Sequence, residues 1–347
     1  MSRIVRSVVQ ERIGSRRAPG FRRAFHDGSR GRRHGVMQAL DGLGYRGAVG
    51  LTLAASLLWG VWWMPIRWLE AEGLEGVWAS LAMGLAALPV FGLMALRDRA
   101  GAVTAPQALL GALLMGLAAM LYGAALAFTD VVRAVVIFYL APAWSTAIEC
   151  LFMGRRWSLR SGIALGLSFL GVATIFRFDV TLDNLAAGDL AALLSGLAWA
   201  VGAALVFSRP GGRPVALSFF ATLGLVLAAA AVLVIGGAAA GRWPGGAQAL
   251  EAVPLALATG LLYIVPVLLV TIWAAQRLAP ATMSFLLTAE IIAGVVSGAL
   301  FLAEPFGVPE AVGAALIILG ATAEAIAPPI RRASPVDSGQ TGPGQGG

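Results

Sequence analysis

Lysine is absent from this 347-residue chain, so every basic side chain is Arg. A phosphate-gripping Walker A line needs Lys, and none is present; the chain does not hydrolyse ATP by that device. Cysteine occurs once, as Cys150, which excludes an internal disulfide and points to no thiolate metal site. The two histidines, His26 and His34, stand near the N-terminus. The apolar remainder thus lacks the commonest metal ligand and general base. Charge is scarce too, at 12% of residues, where soluble domains carry about 25%.

What fills the chain instead is apolar sequence, 59% of it. Ten stretches fall at 48–68, 77–96, 107–128, 131–153, 158–176, 188–207, 214–237, 254–275, 280–302 and 309–327. Each is near the length of about 20 residues that a helix needs to cross a bilayer. The line Leu53-x-x-x-Leu57-x-Trp59-x-Val61 recurs 140 residues later as Leu193-x-x-x-Leu197-x-Trp199-x-Val201. Phe152, Leu167, Leu170 and Gly171 return 149 residues on as Phe301, Leu316, Leu319 and Gly320. The expected fold is all-α integral membrane: ten transmembrane helices as two inverted five-helix repeats, over 48–178 and 188–328. Five spans is an odd number, so the second half lies upside down relative to the first. Inverted halves meeting at the midplane build alternating-access carriers.

Residues 1–45 are polar and Arg-rich, and read as a disordered cytoplasmic tail. No apolar h-region of a signal peptide is present. A mitochondrial-type transit peptide and a translation start at Met37 are the alternative readings. Residues 333–347 are Gly/Pro-rich and read as a flexible tail. Eleven of the 25 Arg lie in the first 46 residues. With the N-terminus placed inside, 21 Arg fall on the cytoplasmic side. Only Arg67, Arg133, Arg177 and Arg242 fall at the other, which also holds Asp130, Asp189 and most loop acids. That bias predicts both termini cytoplasmic. The basic excess fits anionic lipid heads rather than nucleic acid.

Two features bear on helix packing. Gly162-x-x-x-Gly166 and Gly294-x-x-x-Gly298 have the spacing that lets membrane helices approach. In a chain with 44 Gly, chance also produces such pairs. Pro65, Pro89, Pro142 and Pro266 fall within spans, where each removes a helix hydrogen bond. Bends near a central cavity and simple tolerance of Pro are both open readings.

Trp59-Gly60-Val61-Trp62-Trp63-Met64-Pro65-Ile66-Arg67 resembles the first-helix line of the drug/metabolite transporter superfamily, in its EamA-domain branch. Ala125 to Thr129 and Phe138-Tyr139-Leu140-Ala141-Pro142 resemble that domain's third-to-fourth helix line. In the second half, Leu197-Ala198-Trp199-Ala200, Leu287-Thr288-Ala289-Glu290, Leu302-Ala303-Glu304-Pro305 and Gly313 through Gly320 resemble the matching helices. The likeness covers about 48–327. Two positions depart from the pattern: Gly154-Arg155 where Gly-Glu is common, and Ile291 where Pro often follows the Glu. The second favours a straighter ninth span. The resemblance implies a carrier of small organic solutes, with exporters of amino acids, metabolites or drugs among the family's members. It places the chain in a bacterial inner membrane.

Glu290 is the most informative single residue. It lies about ten residues into its span, near the midplane, where a carboxylate costs about 3 kcal/mol to insert. Such acids face a cavity or a partner. The functional reading is that Glu290 binds a substrate amine or takes up a coupling proton. The structural reading is an acid bonded to Ser284 or Thr288. Trp59, Trp62, Trp63, Tyr122, Tyr139, Trp199 and Tyr263 also fall within spans and form the candidate lining for a flat or cationic solute. Large aromatics also fill packing gaps. Trp68, Trp78, Trp157 and Trp243 fit an interfacial belt. Arg67, beside Glu70, reads as an outer gate or an interfacial anchor, and Glu149 and Glu324 as acids paired near the cytoplasmic side.

The leading function is secondary-active transport of small organic solutes, in the export direction, with no cofactor and with proton coupling as an option. The expected partners are the solute and membrane lipids, with the chain a monomer or homodimer. An integral-membrane enzyme acting on a lipid-linked substrate would call for clustered acids or a membrane His. A non-transporting scaffold or sensor is the third class.

Overall fold

A computed structural model describes residues 36–97, 105–152, 158–177, 186–207, 212–278, 280–302 and 306–325. The C-terminal tail, residues 1–35 of the N-terminal one, and the side chains of Glu149 and Glu324 lie outside them. Within the segment read as an N-terminal tail, Val36–Asp41 form a short helix, α1.

Every other element among the described residues is helical too. The order runs α2 (Tyr45–Gly60), α3 (Trp63–Ala71), α4 (Val77–Arg97), α5 (Pro106–Phe128), α6 (Val131–Phe138), α7 (Ala141–Phe152) and α8 (Leu159–Ile175). It continues with α9 (Ala187–Phe207), α10 (Pro214–Gly236), α11 (Gly246–Thr259), α12 (Val265–Ala275), α13 (Pro280–Phe301) and α14 (Val308–Ala325). Six helices among the described residues are long and apolar enough to cross a membrane, or seven if the bent pair α2–α3 counts as one span. Ser161–Ile175, Leu286–Phe301 and Val308–Gly320 are shorter apolar helices. The eighth apolar stretch begins earlier than the sequence indicates, at Gly246. Its first turns carry Gln248 and Glu251, which mask the start of the apolar run.

The exterior is hydrophobic. Ile235, Leu159, Leu96 and Leu262 are all exposed by more than three quarters. In water that would be a liability; against lipid tails it carries no penalty. The interior holds many small side chains at helix crossings, and several buried hydroxyls, such as those of Ser168, Ser195 and Thr222, bond to backbone carbonyls. Lipid removes the hydrophobic drive between helices, so close backbone approach must replace it. Gly202 and Gly111 show this where α9 crosses α5. A Cβ on Gly202 would come within 2.8 Å of the Gly111 carbonyl, and one on Gly111 within 2.7 Å of the Gly202 carbonyl. Farther along the same seam, Ser195 Oγ donates to Ala118 O at 2.7 Å. Between α8 and α14 the contact glycines are Gly171 and Gly313, each set against the other's carbonyl. Gly166 meets nothing, so the Gly162-x-x-x-Gly166 line does not place Gly166 in a helix contact. Gly294 does make one, with Val135 and the Gly60 carbonyl.

Proline marks the breaks. The chain bends by 42° between α2 and α3. Pro65 cannot donate to Val61 O, and Met64 N–H takes that carbonyl instead. Pro142 leaves Phe138 O without its helical donor, and that carbonyl lies against Gly196 of α9, where a Cβ would sit 2.7 Å away. Before Pro266, residues Gly260–Ile264 form a π-helical turn. Ile291 has no such effect, and α13 runs unbroken through it. Among these elements, α6 packs against α13, Trp63 of α3 bonds to Ser297 of α13, and the π turn packs on α4, where a Cβ on Gly260 would lie 2.7 Å from Met83 O.

Candidate functional site

Glu290 is 5% exposed on α13. Its carboxylate oxygen Oε2 accepts from the Tyr139 hydroxyl at 3.1 Å. Tyr139 stands in the break between α6 and α7, and its hydroxyl also contacts Leu287 O. The carboxyl is therefore held from a different helix, and not only by hydroxyls of its own turn. Ser56 of α2 reaches the same turn from the other side. Ser56 Oγ donates to Leu287 O at 3.1 Å and accepts from Glu290 N–H at 3.2 Å. Gly60 permits this approach. A Cβ there would strike Glu290 O and lie 2.6 Å from Ala293 Cβ. Among the described residues no Arg pairs with Glu290.

Aromatic rings continue from the carboxyl. Tyr139 packs edge-on against Phe138 with centroids 5.7 Å apart. Phe138 meets Tyr122 of α5 at 4.7 Å, Tyr122 meets Trp62 at 5.8 Å, and Trp62 meets Trp59 at 4.7 Å. The rings thus form one connected wall from α2 to α6. Hydroxyls fix its indoles. Trp59 Nε1 donates to Thr271 Oγ1 of α12 at 2.9 Å, and Trp63 Nε1 to Ser297 Oγ of α13 at 2.9 Å. The bend after α2 supplies a further tie. Trp62 N–H bonds to Trp59 O, and the Tyr263 hydroxyl, in the π turn, takes Leu58 O.

Two donors in the wall remain. Trp62 is fully buried, and its Nε1 has no hydrogen-bond partner among the described residues. The Tyr122 hydroxyl lies within electrostatic reach of the Glu290 carboxyl without closing a hydrogen bond of good geometry. A buried donor left open is costly, at about 1–3 kcal/mol, so each is a place for an acceptor to bind.

The structure therefore gathers Glu290, Trp59, Trp62, Trp63, Tyr122, Tyr139 and Tyr263 around the meeting of α2, α3, α5, α6, the π turn and α13. Trp199 is half-buried on α9 and joins none of these ring contacts or hydrogen bonds among the described residues. Arg67, in the middle of α3, is bonded to Glu70 at 3.0 Å. Ser56, Phe138, Thr271 and Ser297 belong to the cluster and were not singled out from sequence. The available signal was a hydroxyl inside an apolar stretch, which Ser56, Thr271 and Ser297 all give.

Membrane-length helices, a lipid-ready surface and an internal acid define a multi-pass membrane protein. Residues 46–177 match the model of the EamA-like transporter family. Over those residues, less than half of its length, the chain is similar to that family. No curated protein matches it. A solved structure described as "Crystal structure of protein" superposes with a TM-score of 0.52, over 80% of this chain and 95% of that one, at 18% identity. That likeness bears on the fold alone.

Proposed function

We propose that the protein is a secondary-active transporter that exports small organic solutes, of the amino acid, metabolite or drug type, by alternating access. In this reading ten spans form two inverted halves, 48–178 and 188–328, with both termini cytoplasmic in a bacterial inner membrane. Residues 1–45 and 333–347 are tails outside the transport unit. The solute binds beside Glu290, among Trp59, Trp62, Trp63, Tyr122, Tyr139 and Tyr263.

One observation carries the reading: a buried carboxylate with no cationic partner among the described residues, bonded across elements to Tyr139 at the end of an aromatic wall. An intramembrane acid without a counter-charge is a place for a proton or an ammonium group. Rings around it add cation–π attraction, and the open Trp62 and Tyr122 donors offer a second, acceptor-reading contact. Coupling to protons would pass through the same carboxyl.

A counterflow screen of the purified protein in proteoliposomes tests this. Amino acids, nucleosides, polyamines and aromatic amines are offered in turn. The expected result is protein-dependent exchange with at least one amine-bearing class. Absence of exchange across all classes, with the protein folded and inserted, contradicts the reading.

A further inference from the structure

Asp189 opens α9 and is 1% exposed, yet it is an acid that the site does not use. Its Oδ2 pairs with Arg133 of α6 at 2.6 Å. The same oxygen accepts from Ala186 N–H at 2.9 Å, while Oδ1 accepts from Thr129 Oγ1 at 2.9 Å. Arg133 is braced as well, with its guanidinium 4.5 Å from the Phe176 ring centroid at the end of α8. The backbone beneath is in contact: a Cβ on Gly188 would fall 2.7 Å from Phe128 C and Thr129 N. Three points of the chain thus meet at one end of the bundle: the α5–α6 turn, the end of α8 and the start of α9.

The position 140 residues before Asp189 is the apolar Val49, at the start of α2, so the acid is not repeated there. At the turn after α12, Gln276 Nε2 donates to Gly212 O.

We propose that Arg133, Asp189 and Thr129 form a latch that closes this face of the protein in the conformation described. Opening the face requires α9 to part from the α5–α6 turn. Asp189 is buried while the Arg133 side chain keeps 29% exposure, so separating them leaves the buried carboxylate without its counter-charge. The pair therefore gives two discrete arrangements, made or broken, rather than a graded one. The latch rests on the alternating-access reading for its purpose, though its existence is tested separately.

The test uses Ala192, fully buried one turn beyond Asp189 on the same face of α9. An Ala192→Cys reporter is placed in a Cys150→Ser background, and the full chain is reconstituted in vesicles. A membrane-impermeant maleimide is applied to each face in turn. The latched chain is expected to label slowly. Asp189→Asn and Arg133→Gln are each expected to speed labelling from one face by about tenfold or more, as local opening becomes easier. Thr129→Val, which removes a single donor and keeps the ion pair, is expected to give a smaller acceleration. The exchanged pair Arg133→Asp with Asp189→Arg is expected to recover part of the protection. Labelling rates that match the parent in Asp189→Asn, Arg133→Gln and Thr129→Val, in protein that elutes as folded, overturn the latch. Labelling that responds to these variants while no solute moves keeps the latch and removes the transport reading.

Discussion

The two helices that share the Leu-x-x-x-Leu-x-Trp-x-Val line do different things. In α2 the line leads into a bend, and its polar atoms reach outward. Ser56, Trp59 and Leu58 bond to α13, α12 and the π turn. In α9 the line sits on an unbroken helix that sets Gly188, Gly196 and Gly202 against backbone and bonds the Ser195 hydroxyl to Ala118 O. Trp59 is buried and hydrogen-bonded, whereas Trp199 is half-buried and outside the cluster. A shared motif thus marks a repeated helix without fixing a repeated role. What differs along the shared line is the partner surface: side-chain hydroxyls and the Glu290 turn for α2, mostly backbone for α9.

Five substitutions sharpen or break that contrast. The largest effect is expected from Gly202→Val, since its first side-chain carbon already falls against Gly111 O and Met115 N. Overpacking at backbone distance should cost about 3 kcal/mol, read as a lowered unfolding midpoint in detergent. A midpoint within error of the parent would show that the α9–α5 seam is loose. Gly60→Ala comes next. Its methyl would press on Glu290 O, Ala293 and Gly294 N, forcing α2 and α13 apart at a cost of about 1–2 kcal/mol. Flux is expected to fall more than stability does, which separates a working surface from a scaffold.

Smaller effects are expected farther from backbone contact. Trp59→Phe removes the indole donor to Thr271, worth about 1 kcal/mol. Thr271→Val should reproduce the loss, and the double variant should add little to either, because both remove one bond. Full additivity would mean that the Trp59–Thr271 bond carries no energy. Trp199→Phe should change stability by less than about 0.5 kcal/mol and leave flux unchanged. A flux defect there as large as that of Trp59→Phe would restore equal roles to the two helices.

The contrast also shows where sequence reading stopped. Composition and ten apolar stretches were enough for an all-helical membrane class, because lipid leaves the backbone few alternatives. Glu290 stood out for the same reason: a charge in an apolar run needs a physical account. Pro65 and Pro142 announced breaks, since each lacks a donor. The π turn at Gly260–Ile264 carried no comparable signal, as its residues differ little from their neighbours. Thr271 and Ser297 were invisible as indole partners, since a hydroxyl in a helix is also content with its own i−4 carbonyl. Thr271 does bond to Val267 O. Asp189 was read with the loop acids, because its burial depends on the α5–α6 turn, distant in sequence. Trp199 shows the opposite case, where a repeat in sequence pointed to a lining role and the ring joins none of the cluster's contacts among the described residues.

The central claim is that solute passes beside Glu290. Counterflow across a pH series, comparing the parent with Glu290→Gln at equal reconstitution, tests it most directly. Exchange is expected to fall roughly tenfold or more in the variant and its pH dependence to flatten, since the carboxyl of the cluster is gone. Undiminished exchange with the parent's pH profile would contradict it.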